Sequence, residues 1–230
     1  MNTLLMRFSA PMQSWGTESR FTMRDSGLEP SKSGVIGLLC AALGRPRDAN
    51  LSDLSGLHMG IRVDKEGTLQ SDYQIARHVL TSDGKGEKES VPSTRYYLAD
   101  AAFLVGLASE DLEFLQQIQY ALQHPVWTLF LGRKAFVPSV PVWLKEGMRS
   151  GEDLESALKN FPWIYPWAKE KAPKEVRLVL EDPDGEQYRN DVPVSFARRE
   201  YTPRRVHTCF KEAPQRICEE VNNVSIETGA

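Results

Sequence analysis

Repeated switching between two hydrophobic periods restricts the architecture of this chain more than any single motif does. Leu4, Met6 and Phe8 share one side of an alternating segment, Thr3 to Phe8, which predicts a strand. Val35, Ile36, Leu38, Leu39, Ala42 and Leu43 then cover most of a helix that Ser33 can cap and Gly44 can end. Leu57, Met59, Ile61 and Val63 alternate again, and Lys65-Glu66-Gly67 forms a turn into a partner running from Thr68 toward Ala76. Ala101 to Leu107 reads as a buried strand. Ser109 caps a helix carrying Leu112, Leu115, Ile118 and Leu122 until Pro125 stops it, and Val126 to Leu131 reads as the next strand. This order is a split βαβ unit, so the expected fold class is α+β, a ferredoxin-like or RRM-like βαββαβ domain with a long insertion.

The insertion and the C-terminal part follow from turn chemistry. Thr81 to Ser93, with Gly84, Gly86 and Pro92 among charges, holds too little apolar surface to order itself and is expected to be a mobile excursion. Residues 1–140 are accordingly read as the ferredoxin-like domain with a hairpin inserted near 68–98, and residues 141–230 as a small β-rich domain. After Pro138 and Pro141 the aromatic residues Trp143, Phe161, Trp163, Tyr165 and Trp167 alternate with prolines, and no helix is expected there. Glu175 to Glu181 and Gln187 to Val194 flank Asp182-Pro183-Asp184-Gly185, the signal of a hairpin. The polar stretch from Cys218 to Ala230 is expected to fray.

Composition removes several function classes. No apolar run approaches the roughly 18 residues of a membrane span, and Arg7 interrupts the N-terminus too early for a signal-peptide core, so a cytoplasmic location away from membranes is expected. Cys40, Cys209 and Cys218 are odd in number and lack metal-ligand spacing, which predicts reduced thiols, no metal and no cofactor. A net charge of −3 runs against a free-standing nucleic-acid binder. Its distribution matters more, because Ser195 to Arg216 sets Arg198, Arg199, Arg204, Arg205, Lys211 and Arg216 against only Glu200 and Glu212.

Five short segments carry binding chemistry. Gln13-Ser14-Trp15-Gly16 closes the first strand with an amide and a ring, a pair suited to reading and stacking on a base; a Trp that simply caps the core fits the segment equally well. Ser31-Lys32-Ser33-Gly34 opens a helix and offers N–H groups to an anion. Gly132-Arg133-Lys134 couples a backbone that a phosphate can approach with two cations. Arg95-Tyr96-Tyr97 and Phe196-Ala197-Arg198-Arg199-Glu200-Tyr201 join cations to rings, as single-stranded RNA binders do. No catalytic set emerges. Among His58, His78, His124 and His207, only His78 lies beside the excursion and the tyrosines, which leaves a metal-independent endoribonuclease with His78 or a tyrosine as base as the alternative reading. A purely structural assembly protein is the third.

Pro11 to Gly16, Pro30 to Leu39, Leu131 to Lys134 and Phe196 to Tyr201, in that order and spacing, resemble the CasD family, the type I-E form of the fifth CRISPR-associated protein family. The resemblance spans Thr3 to Tyr201. It implies a repeat-associated (RAMP) RRM-like fold whose inserted hairpin acts as a thumb. It further implies a subunit of the Cascade complex that grips the repeat-derived 5′ handle of the guide RNA (crRNA), caps the backbone filament and touches both the backbone subunit and the large subunit. Target DNA is met only indirectly, through the complex. Type I-E members are non-catalytic, whereas the type I-C branch cleaves precursor RNA with a Tyr, Lys and His set. An adjacent Lys-His pair is lacking in this chain. The expected RNA-binding residues are Gln13, Trp15, Lys32, Ser33, Gly34, Arg95, Tyr96, Tyr97, Gly132, Arg133, Lys134, Arg198 and Arg199. Lys32, Ser33, Gly34, Arg133 and Lys134 would hold phosphates, Trp15, Tyr96 and Tyr97 would stack on bases, and Gln13 would read a base edge.

Overall fold

A computed structural model describes residues 1–18, 22–164 and 173–214. In chain order the elements are β1 (Asn2–Ser9), β2 (Met12–Gln13), β3 (Met23–Arg24), α1 (Lys32–Leu43), α2 (Ser52–Ser55), β4 (His58–Lys65), β5 (Thr68–Leu80), β6 (Glu87–Ala99), β7 (Ala102–Ser109), α3 (Leu112–Gln123), β8 (Trp143–Arg149), α4 (Leu154–Asn160), β9 (Glu175–Glu181), β10 (Gln187–Ser195) and β11 (Glu200–Glu212). The fold is α+β and its sheets are mostly antiparallel. One seven-stranded sheet has the order β10-β11-β9-β4-β7-β1-β8. Since β9 pairs with β4, the segments before and after residue 140 contribute to a single sheet.

The period-2 pattern of β1 sorts its side chains between two cores. Leu4, Met6 and Phe8 join Val35, Ile36 and Leu39 of α1 and Leu115 and Ile118 of α3. Leu5 points the other way, into a smaller cluster with Leu104, Leu144, Leu158 and Phe161. A strand buried on both faces needs a second cover, and α4 supplies it. Gly60 and Gly106 lie opposite each other across β4 and β7. A Cβ at either position would come within 2.8 or 2.7 Å of a leucine of α4, so the paired glycines let that helix sit close on the sheet. Arg62, fully buried and ion-paired with Asp64, donates to the carbonyls of Leu158, Phe161 and Pro162 and so satisfies the end of α4.

Several sequence expectations are corrected here. The segment after Pro138 contains the helix α4, capped by Asp153, whose side chain accepts from Ser156 N, and the strand β8 beside β1. Val126 to Leu131 is not a strand: the N–H groups of Val126 and Trp127 donate to Ala42 O and Ala41 O, so this stretch hydrogen-bonds to the end of α1 instead of a sheet. The strands flanking Asp182-Pro183-Asp184-Gly185 do not pair with each other, because β11 runs between them. Gly185 permits this, since a Cβ there would meet the Val206 backbone at 2.5 Å. The caps of α1 and α3 are Ser31 and Asp111, not Ser33 and Ser109, while Gly44 ends α1 at φ +70° as expected. Glu87 to Ser93 belongs to β6, which pairs with β5 out to Leu80 opposite Glu87, so the expected excursion is a regular hairpin closed by a short turn. Tyr165, Trp167 and the stretch from Cys218 onward lie outside the described residues.

β6 also receives β2 in antiparallel and β3 in parallel register. Arg24 and Arg95 of this second sheet line a cleft together with the N-terminal end of α1. No described helix is long and apolar enough to cross a membrane.

Candidate nucleic-acid interface

Six separate segments meet in a cleft of about 420 Å³ at the start of α1. Ser31, Ser33 and Gly34 form one wall, Arg24 of β3 and Arg95 of β6 another, and Gly132 with Arg133 a third. Trp15 lies behind, and Phe196 and Tyr201 close one end.

Local packing explains most of the small and aromatic residues. The Trp15 ring is 1% exposed and stacks on Phe8 at 5.5 Å with planes 14° apart. Its Nε1 donates to the Gln13 Oε1, and the Gln13 Nε2 donates to the carbonyls of Ala101 and Phe8. Both groups are therefore committed to the fold, which corrects the reading of Gln13 as a base reader and of Trp15 as a stacking platform. Gly34 is small for the same reason, because a Cβ would stand 2.9 Å from the Trp15 ring. Lys32 is likewise not free for phosphate. It is 2% exposed, its Nζ donates to both oxygens of Glu181 at 3.0 and 2.9 Å, and its backbone N–H donates to Asp191 at 2.7 Å. Asp191 in turn accepts from Arg204 at 2.7 Å. Burial lowers the Lys32 pKa, with the Glu181 carboxylate opposing that shift. This network ties β10 and β11 to the first turn of α1.

Gly132 has φ +90°, and a Cβ there would fall 1.8 Å from Ser14 O. The glycine lets the loop dock against Ser14, and that contact carries Arg133 into the cleft. Arg133 Nη2 donates to Tyr96 O at 2.7 Å, and its guanidinium lies 5.4 Å from the Phe136 ring. Tyr97 packs against the same ring at 6.0 Å. Tyr96 and Tyr97 thus hold Arg133 in place, and neither lines the cleft. Arg198 pairs with Glu200 at 3.1 Å on the turn between β10 and β11, outside the cleft with Arg199. Lys134 is exposed and faces a neighbouring cavity.

Three arginines, Arg24, Arg95 and Arg133, face the cleft with a single carboxylate, Asp25. The register of β3 on β6 sets Arg24 beside Arg95, a like-charge pair that is unfavourable unless an anion bridges it. Burial, followed by the nearby Arg95 charge, lowers the Arg133 pKa, and Arg24 adds to the effect while Asp72 and Asp25 oppose it. Asp25 spends one carboxylate oxygen on the N–H groups of Thr17 and Glu18. Among the described residues no carboxylate forms an ion pair with Arg24, Arg95 or Arg133. The N–H groups of Lys32, Gly34 and Val35 are spent on Asp191 and Ser31, and the three guanidinium groups that line the cleft can donate to an anion such as phosphate. Arg24, Asp25, Phe196 and Tyr201 were not among the expected contacts. A two-residue strand such as β3 leaves no periodic signal, so nothing local pointed to Arg24.

None of the four histidines lines the cleft. His78 pairs with Glu87 at 2.6 Å near the hairpin tip. It lies six residues beyond Asp72, the β5 partner of Arg95, or about 20 Å along the strand. Burial raises the Cys40 and Cys209 thiols above their ordinary value, and among the described residues no group of His, Cys, Asp or Glu could hold a metal ion.

Comparison with known proteins places these features in a family. Residues 3–207 match the family model described as CRISPR-associated protein (Cas_Cas5). The chain is 31% identical over 174 residues to the Escherichia coli (strain K12) protein named CRISPR system Cascade subunit CasD, covering 69% of this chain and 76% of that one. A solved structure titled "Crystal structure of Cas protein" superposes with a TM-score of 0.75 at 39% identity, covering 92% of this chain and 97% of the other. A chain of a structure titled "CRISPR RNA-guided surveillance complex" gives 0.76 at 31% identity, covering 93% and 91%. The chain belongs to the Cas5 family of CRISPR-associated proteins.

Proposed function

We propose that this chain is a non-catalytic guide-RNA-binding subunit of a type I-E Cascade complex in CRISPR antiviral defence. It grips the 5′ handle of the guide RNA, caps the backbone filament and contacts the large subunit in the cytoplasm. The single observation that carries the reading is the convergence of Arg24, Arg95 and Arg133, none in a described ion pair, on the first turn of α1. A backbone of phosphates passing this cleft would relieve the repulsion between the guanidinium groups and accept hydrogen bonds from them. Similarity to CasD of Escherichia coli and to a chain of a surveillance complex supports membership of such an assembly. The antiparallel strand order β4-β7-β1-β8, with α1 and α3 sharing one core, supports reading the N-terminal part as a ferredoxin-like RAMP domain. The β5–β6 hairpin is then its thumb, and the chain after β8, with α4 and β9 to β11, its appended part.

Replacing Arg95 and Arg133 together by Gln tests the reading. Each lost charge-assisted contact is worth about 1.5–3 kcal/mol, so handle RNA should bind the double variant at least about a hundredfold more weakly. Anisotropy with a labelled repeat-derived RNA measures this, and a thermal melt checks that the variant is folded. Unchanged affinity in a folded variant overturns the proposal. Incubation of the chain with repeat RNA in EDTA should leave the RNA intact; cleavage would favour the endoribonuclease.

A further inference from the structure

A second cavity, of about 850 Å³, opens beside the arginine cleft, and the Phe196 ring is a wall of both. It lies between the C-terminal half of α1 and the segment from Val126 to Lys134. Its rings are Trp127, Phe130 and Phe196. Trp127 is 49% exposed, although its backbone is fixed by donation from its N–H to Ala41 O. Phe196 is held over α1, where a Cβ at Gly37 would stand 3.7 Å from the ring, and its carbonyl accepts from Arg47. Phe196 is thus anchored on the core, while the Trp127 ring meets solvent from a fixed backbone, so the cavity is preformed.

Charge decides what such a cavity can hold. Arg45, Arg47 and Lys134 line it, and among the described residues no carboxylate does. Arg45 is neutralised by Asp53 at 2.5 Å, whereas no described carboxylate pairs with Arg47 or Lys134. Rings with two uncompensated cations suit a flat, anionic ligand: a base that stacks, joined to a phosphate that the cations reach. The volume lies within the range of small-ligand sites. Arg133 faces the cleft and Lys134 faces this cavity, so adjacent residues put a cation in each of the two spaces.

Resting on the proposed RNA-binding role of the cleft, we infer that this cavity is a nucleotide pocket that takes one splayed base of the bound single strand, stacked on Trp127. The experiment uses synthetic handle RNA and a set of the same RNA in which one base at a time is replaced by an abasic site, each titrated against the full chain. One abasic position should weaken binding to the wild-type chain about tenfold, the scale of a base–aromatic stack. Trp127→Ala should weaken intact RNA by the same factor and erase the penalty at that one position, because the two changes remove the same contact. Trp127→Phe should restore affinity while removing the quenching of tryptophan fluorescence that RNA causes in the wild type. Equal affinity of wild type and Trp127→Ala for every RNA overturns the pocket, and means that the cavity takes something else, such as an acidic segment of a protein partner. The arginine variants separate the two ideas. Loss of binding in Arg95→Gln/Arg133→Gln with no effect of Trp127→Ala refutes the pocket alone, and no loss in either refutes both.

Discussion

Gly132 shows how one missing side chain positions a charge elsewhere. Its φ of +90° and the 1.8 Å gap to Ser14 O leave no room for a Cβ, so Gly132→Ala must both strain the backbone and push the loop off Ser14. The expected cost is about 3 kcal/mol, read as a lower urea midpoint, together with weaker RNA binding because Arg133 moves with the loop. Unchanged stability would mean that the loop accommodates a side chain freely. The glycine was read from sequence as a place for phosphate to approach, whereas its neighbour in space is the protein's own backbone. Gln13 and Trp15 teach the same lesson. Their residue types suit a base, but a ring stacked on Phe8 with its N–H satisfied by Gln13 serves the core.

Among the elements, α4 depends most on its cap and its surroundings. A helix of seven residues is too short to persist alone, and its stability comes from Asp153 at one end, Arg62 at the other and the Gly60–Gly106 patch beneath. Asp153→Ala should cost about 1 kcal/mol at neutral pH, whereas Asp153→Asn should retain most of the cap. The hydrogen bond from Ser156 N, joined by the Ser156 side chain, holds the Asp153 carboxyl below its ordinary 3.8. A depressed folded-state pKa means that the carboxylate contributes its stability above the unfolded value and loses it as the pH falls through the folded value. The difference between wild type and Asp153→Ala in urea unfolding should therefore shrink below about pH 4 and be constant above it. A difference independent of pH in that range would show that the carboxylate charge is not part of the cap. The helix escaped sequence reading because prolines and tryptophans dominate its flanks. Its true stabilisers, Arg62 and the two glycines, sit on strands far earlier in the chain.

Over the whole molecule the net charge of −3 conceals a local concentration of cations. If three arginines each neutralise a phosphate of single-stranded RNA, the logarithm of affinity should fall against the logarithm of salt concentration with a slope of about −2, and Arg133→Gln should reduce its magnitude by about 0.7. Titrations across a range of salt concentrations measure both, and an unchanged slope in the variant removes Arg133 from the phosphate contacts. Much of the architecture was legible beforehand. The strands β1, β4 and β7 and the helices α1 and α3 follow from hydrophobic period and turn residues, which act between neighbours a few positions apart. The edge assignments failed where pairing overrode local pattern: Val126 to Leu131 lies on a helix end, β8 takes the place beside β1, and β11 separates two strands that a tight turn joins.

The cleft divides along the same physical line. Local chemistry pointed to the helix start, the Gly132-Arg133 turn and the Arg95 segment, and the family resemblance bound them into one expectation. Which groups remain available for a ligand depends on partners far away in the chain. Asp191 accepts from Lys32 across 159 positions, and Glu181 takes its ammonium group across 149. Arg24 acquires its importance only by lying beside Arg95 in a parallel register. Side-chain type and period are properties of short windows of sequence and survive in any fold, but burial and charge compensation are set by whatever the folded chain brings alongside.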